Sequence, residues 1–285
     1  MRSIVMSLAL AGLAGTASAQ LAGVNGIHVV YGNGFNGWTS TTNTTNNGLA
    51  GFRIQENISP TTDHSDGDFA NRNFGFLSAD AGATTYSYDG TSSFSITYRH
   101  RMAVSNSPVL PNGGASTEGG LTFLQGGEGH PYEDGGIFSL YNGTSWVGGM
   151  GANFSILAQS DPNNPQSITN PGLTVGGWAT YRFDYWAPGA LGPGSLASYQ
   201  ASVLDETTGN FRISSLTSWD QGSSWPGGLL AGTAIGFRMQ NVPVLGLDNN
   251  FDAQYSNIVI GAVVPTPASA GALALVGLAG FRRRR

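Results

Sequence analysis

Three carboxylates and a histidine fall within one glycine-flanked stretch, Gly126-Gly127-Glu128-Gly129-His130-Pro131-Tyr132-Glu133-Asp134-Gly135-Gly136. Such a set can move protons, one carboxyl acting as acid and another as base. Glu128 and Glu133 are not, however, at the alternate spacing that lines two carboxylates along one strand face. The stretch therefore reads first as a solvated acidic loop. Glu128, His130 and Glu133 become an acid–base set only if the protein is an enzyme.

A second cluster, Asp63-His64-Ser65-Asp66-Gly67-Asp68, has chemistry suited to calcium, which takes six to eight oxygens from carboxylates, carbonyls and water. Asp63, Asp66 and Asp68 are the candidate ligands. Their spacing departs from the D-x-[DN]-x-[DN]-G loop, and no glutamate closes the set. Asp248-Asn249-Asn250-Phe251-Asp252 is a weaker candidate of the same kind, whose ordinary reading is an Asx turn into a final strand. A structural calcium is the one cofactor the sequence admits. With no cysteine in the chain, thiolate zinc sites, disulfides and a cysteine nucleophile are excluded.

Planar rings are the third resource. Trp219, Trp225 and Trp186 fall at turns or on the wet side of alternating strands, where an exposed ring can stack on the apolar face of a sugar. Of the histidines, His28 and His100 lie within strand-like runs, and His100 shares a face with Tyr98 and Met102, which marks it as a core residue. His64 and His130 belong to the two acidic stretches already described. No G-x-S-x-G elbow is present.

The elements that must position these residues show a period of two. Apolar residues alternate with Ser, Thr and two arginines along Phe94–Val104, which predicts a strand with one buried and one wet face. The same pattern runs through Tyr181–Tyr185, Tyr199–Val203 and Ile235–Gln240. Shorter strands are expected at Ile27–Tyr31, Ala50–Gln55, Phe74–Leu77, Leu121–Leu124, Ile137–Tyr141, Asn153–Leu157 and Ser256–Ile260. Asp205-Glu206-Thr207-Thr208-Gly209-Asn210 is turn chemistry that joins two antiparallel strands. About a dozen strands with glycine-rich turns and no amphipathic helix predict an all-β antiparallel sandwich.

Both ends read as addresses rather than structure. Met1-Arg2, an apolar run from Ile4 to Gly15 and Ala17-Ser18-Ala19 form a secretory signal helix, with cleavage between Ala19 and Gln20. At the other end, Val264-Pro265-Thr266-Pro267 precedes the uncharged stretch Ala268–Phe281 and then Arg282, Arg283, Arg284 and Arg285. Those apolar residues, as a helix, reach roughly 21 Å, short of a bilayer core of about 30 Å. That suits transient inner-membrane contact rather than permanent anchorage. The expected organisation is a signal over 1–19, one sandwich over 20–264 and a sorting segment over 265–285.

The tripartite tail of Pro265, Thr266 and Pro267, apolar helix and arginine cluster resembles the PEP-CTERM sorting signal of Gram-negative-type bacteria, though without the usual glutamate between the prolines. The resemblance implies export, handling by an exosortase-like membrane protease, and delivery to the cell surface or extracellular matrix. The body loosely resembles concanavalin-like (LamG-type) jelly rolls, in its wet arginine strand, the strand opening at Gly177-Trp178, the Asp205–Gly209 hairpin and a closing strand near Asp248–Ile260.

Without Arg2 and the four terminal arginines, the body keeps seven arginines against all 17 acids, and it has no lysine. A net charge near −10 gives no basic footprint for nucleic acid or anionic membrane. The expected function is that of a non-enzymatic exported surface or matrix protein that binds polysaccharide or other envelope components. The alternative is a secreted polysaccharide hydrolase or lyase on the same jelly roll, using the Glu128–Asp134 loop.

Overall fold

A computed structural model describes residues 21–32, 40–58, 71–104, 117–124, 135–141, 146–152, 157–158, 177–205, 208–213, 216–218, 228–241 and 249–263. The strands are β1 (Gly26–Gly32), β2 (Ser40–Asn46), β3 (Gly51–Ile58), β4 (Asn71–Ser78), β5 (Phe94–Val104), β6 (Thr117–Leu124), β7 (Gly135–Tyr141) and β8 (Trp146–Ala152). They continue with β9 (Leu157–Ala158), β10 (Trp178–Trp186), β11 (Ser198–Asp205), β12 (Asn210–Ile213), β13 (Thr217–Ser218), β14 (Ala234–Asn241) and β15 (Asn249–Gly261). One 3-10 turn, Gly48–Ala50, leads into β3, and no α-helix occurs among the described residues.

Two antiparallel sheets face each other. The first has the order β1-β4-β14-β6-β7-β8-β9, and the second β12-β11-β10-β5-β15-β3-β2, with β13 pairing β11. Spatial neighbours such as β5 and β15, or β4 and β14, are far apart in sequence, so the chain passes repeatedly between sheets. The expected all-β antiparallel sandwich of jelly-roll type is what forms. Ala50 belongs to the 3-10 turn rather than to β3, and the turn from Asp205 to Asn210 joins β11 to β12, with Gly209 at φ 70°.

Alternation determines which residues meet between the sheets. On β5, Phe94, Ile96, Tyr98, His100 and Met102 point inward, as the period of two requires. They pack with Phe52 and Ile54 of β3, Tyr181, Phe183 and Tyr185 of β10, and Phe251 and Tyr255 of β15. The opposing sheet contributes Ile27, Leu77, Leu121, Phe123, Ile235, Phe237 and Met239. Rings dominate this interior. Phe52 stacks on Tyr255 at 4.8 Å between centroids, Tyr98 meets Phe237 edge-on at 5.0 Å, and Phe123 lies 5.1 Å from Phe183. Each such pair contributes about 0.5–1.5 kcal/mol beyond its buried area.

The rings fit because the first sheet withdraws its side chains opposite them. A Cβ on Gly75 would stand 2.6 Å from the Phe52 ring, and one on Gly119 would stand 2.8 Å from His100 Nε2 and 3.0 Å from the Tyr255 hydroxyl. Into that space Tyr255 extends its hydroxyl, which accepts a 2.8 Å hydrogen bond from the Gly120 amide and donates to the Arg238 carbonyl. Tyr98 also reaches across, accepting from the Leu121 amide at 3.3 Å. Burial pushes both phenols above the ordinary tyrosine range, so they stay protonated and able to donate. Deeper at one end, Asn73 Nδ2 donates to Glu56 Oε1 at 3.4 Å, linking the two sheets through buried polar groups.

Tyr255→Phe keeps the ring and removes only the bridge, taking the hydroxyl from a buried amide and a buried carbonyl. Chemical denaturation should show a loss of about 2–4 kcal/mol. A loss below about 0.5 kcal/mol would mean that the bridge contributes little.

His100 stacks on Tyr255 at 4.5 Å, nearly parallel, and is 2% exposed. Burial disfavours its charged form and lowers its pKa to about 3. The unfolded chain binds this proton near pH 6.5, while the fold resists it until about pH 3. Stability should therefore fall as pH drops through that window, at up to about 1.4 kcal/mol per pH unit from this residue. Denaturation curves at pH 7, 5 and 4 should show His100→Phe flattening the dependence.

Candidate functional site

The wet face of β5 carries Ser95, Thr97, Arg99, Arg101 and Ala103, and its neighbours continue the pattern. Register places Trp178 of β10, Arg101 of β5, Gln254 of β15, Arg53 of β3 and Thr45 of β2 side by side in one row. Neighbouring strands lie about 4.8 Å apart, so this row spans roughly 19 Å. A parallel row holds Thr180, Arg99 and Ser256, and another holds Asp252, Gln55 and Asn43. Most of these side chains are half-buried.

Four of the seven body arginines, Arg53, Arg99, Arg101 and Arg182, thus occupy one sheet face. Two are held by carboxylates. Arg53 donates from Nε and a terminal nitrogen to both oxygens of Asp252, each at 2.8 Å, and Gln254 adds a 3.0 Å donor to the same carboxylate. The Asp252 partner raises the Arg53 pKa further above its usual value. Arg182 donates to Asp184 Oδ1 at 3.0 and 2.9 Å. Burial raises the Asp184 pKa, opposed by hydrogen bonds from Ser95 and Arg182.

Arg99 is held differently. Its guanidinium carbon lies over the Trp178 ring, 5.3 Å from the centroid. Trp178 is the diagonal cross-strand neighbour of Arg99, since Thr180 stands directly opposite it. The indole face holds the cation by its quadrupole and leaves the N–H edge of the guanidinium to other partners. No carboxylate pairs with Arg99 among the described residues.

Several expectations meet this geometry directly. His100 is in the core, on the face it shares with Tyr98 and Met102. Trp186 was expected to be exposed, and this is corrected. It does lie on the same alternating face as Trp178, but at the strand end beside the 187–197 connection, and it is only 6% exposed. It presents no open ring.

Of the Asp248–Asp252 cluster, Asn249 to Asp252 belong to β15 and Asp252 is taken up by Arg53, while Asp248 lies outside the described residues. No three His, Asp or Glu residues converge as a metal site among the described residues. His28 Nδ1 lies 2.8 Å from the Gly82 carbonyl, a contact that orders the turn after β4. Glu128, His130, Glu133, Asp63, Asp66, Asp68, Trp219, Trp225, Ala19, Gln20 and the tail Pro265–Arg285 lie outside the described residues.

The alternation in Phe94–Val104 already exposed Arg99 and Arg101, but Trp178 was read only as a strand opening. The missed signal is parity: Trp178 and Arg182 stand four apart on one strand and share a face.

No protein-family model matches the chain, and no curated protein sequence matches it. Solved structures of similar outline include an alginate lyase from Corynebacterium sp., at 9% identity and a TM-score of 0.42, over 74% of this chain and 77% of that one. A functionally unknown protein from Saccharomyces cerevisiae has 11% identity and a TM-score of 0.42, over 87% and 100%. A cellulose induced protein, Cip1, has 10% identity and a TM-score of 0.38, over 84% and 92%.

Asp252→Asn should weaken the Arg53 fork and cost about 0.5–1 kcal/mol in chemical denaturation, as expected for a half-exposed pair. The cost should shrink in 1 M salt. A loss unchanged by salt would assign the effect to packing instead.

Proposed function

We propose that the protein is an exported polysaccharide-binding sandwich that acts in the cell-surface or extracellular-matrix layer. Its binding surface is the part of the outer face over β10, β5, β15, β3 and β2 where Trp178, Arg101, Gln254, Arg53 and Thr45 lie. The observation that carries this reading is the row Trp178–Arg101–Gln254–Arg53–Thr45, a regular array of donors, acceptors and one ring on a face that makes no core. Sugar chains offer hydroxyls in two directions and flat apolar patches, and such an array meets both. A strand-borne site is also prepared in advance, because each side chain is held by the pleat and by cross-strand neighbours.

The signal-like start and the Pro265–Arg285 tail support an address outside the cytoplasm, with passage through an exosortase-like protease. The low charge and the Gly, Ser, Thr and Asn content suit a matrix component.

Titration of the full-length protein against soluble polysaccharides, followed by tryptophan fluorescence with calcium and then with chelator, tests the reading. Saturable binding is expected, with polymer length unchanged on size-exclusion chromatography. Gln254→Ala should weaken binding several-fold while lowering Tm by no more than about 4 °C through the lost bond to Asp252. Shortening of the polymer would replace this reading with the hydrolase or lyase alternative and move attention to Glu128, His130 and Glu133. Silence across the panel would overturn it.

A further inference from the structure

We propose that the polymer bound on this face is an acidic polysaccharide, and that Arg99, held over Trp178, is the group that takes its carboxylates. The inference rests on the polysaccharide reading above and adds to it the charge class and the anchoring residue.

Charge distribution is the first observation. The body carries about ten more acids than arginines, yet one sheet face gathers four of its seven arginines against Asp184 and Asp252 alone among the described outward positions. A local positive strip on an acidic protein attracts an anionic chain to that strip and repels it elsewhere, which also fixes where it docks.

The second observation is that the arginines are not equivalent. Arg53 and Arg182 spend their forks on Asp252 and Asp184. Those pairs lock the flanks of the face and take up the two-donor fork that a ligand carboxylate would need. Arg99 is instead positioned by an aromatic ring, which engages the guanidinium through its π face and leaves N–H donors in the geometry a carboxylate accepts. The same indole stands in the row of Arg101 and Gln254, so groups for a sugar ring and for its carboxylate are cross-strand neighbours.

Spacing supplies a third. Arg99 and Arg101 are separated by one inward residue, His100, and therefore project from the same face about 6.6 Å apart along the strand. Arg101 has a partner of its own within the fold, so it adds positive charge beside Arg99 while Arg99 supplies the donors. Nucleic acid is the competing polyanion, and since the same strip would attract it, duplex DNA is one arm of the test.

The test compares polygalacturonate with its methyl-esterified form, the same backbone with its charges removed, using full-length protein and isothermal titration calorimetry. Polygalacturonate should bind at least about tenfold more tightly, with affinity falling as salt rises. Arg99→Gln should reduce polygalacturonate affinity about tenfold, as for one charge-assisted hydrogen bond, and leave the esterified polymer nearly unaffected. Should Arg99→Gln fail to fold, Thr180→Asp places a carboxylate directly across from Arg99 and should give a comparable loss.

Equal binding of the two polymers would overturn the acidic assignment and leave polysaccharide binding intact. Binding of neither polymer, with dextran and xylan also silent, would overturn both. Tight polygalacturonate binding unchanged in both variants would remove Arg99 from the site. Duplex DNA binding as tightly as polygalacturonate would show a general polyanion surface and overturn the proposal.

Discussion

The close approach of the two sheets at Gly75 and Gly119 is the constraint on which the rest of the molecule depends. Both glycines point into the interior, and the space their missing side chains leave is filled by Phe52, His100 and Tyr255 from the opposite sheet. A side chain at either place would push the layers apart or force those rings out of contact. With the layers close, the Tyr255 hydroxyl can bridge the Gly120 amide and the Arg238 carbonyl, on two neighbouring strands of the far sheet. Apolar burial alone would allow one layer to slide over the other, whereas a directional hydrogen bond at the seam allows one register.

That register has a consequence on the outside. In a strand, moving every inward residue to its place moves every outward residue as well, because the side-chain period is two. Once Tyr98, His100 and Met102 are locked inward, Thr97, Arg99, Arg101 and Ala103 must face out. The same holds for Tyr181 and Phe183 against Trp178, Thr180 and Arg182. The polar array is therefore the reverse side of the aromatic core, and its rows are straight because β3, β15, β5 and β10 share one ladder. Only between Ser256 and Val259 does the ladder slip, at a bulge where Asn257 adopts a φ of 52°.

Electrostatics then divides the arginines by neighbour. Where an aspartate stands close by, as at Asp252 and Asp184, the guanidinium is neutralised and becomes part of the scaffold. Where the neighbour is an indole, the cation is oriented without being neutralised. This face therefore carries arginines on β3 and β10 fixed by aspartates, and one on β5 oriented by a ring.

Much of this architecture was legible in the sequence. The alternation in Phe94–Val104 marked β5 with its correct faces, and the Tyr181, Tyr199 and Ile235 runs marked three more strands, because half-buried strands leave a period of two. β2 was not foreseen: Ser-Thr-Thr-Asn-Thr-Thr-Asn has no apolar residue to alternate, and it is a strand because β3 offers it an edge to pair with. β8, with Gly148, Gly149 and Gly151, was hidden for a related reason, since glycines carry no pattern. The exposure expected of Trp186 was overturned because parity tells which face a residue is on and not whether the chain covers that end of the sheet.

By itself, then, the sequence determined the class of fold, the inward and outward residues of its longer strands and the local turn chemistry at Asp205–Asn210. All of these depend on interactions between residues a few positions apart. The tertiary structure alone decided that Arg53 meets Asp252 across 199 residues, that Arg99 lies over Trp178, and that Gly119 stands opposite His100. Those pairings follow from which strands become neighbours, and strand order is chosen by the packing of the whole core rather than by any segment within it.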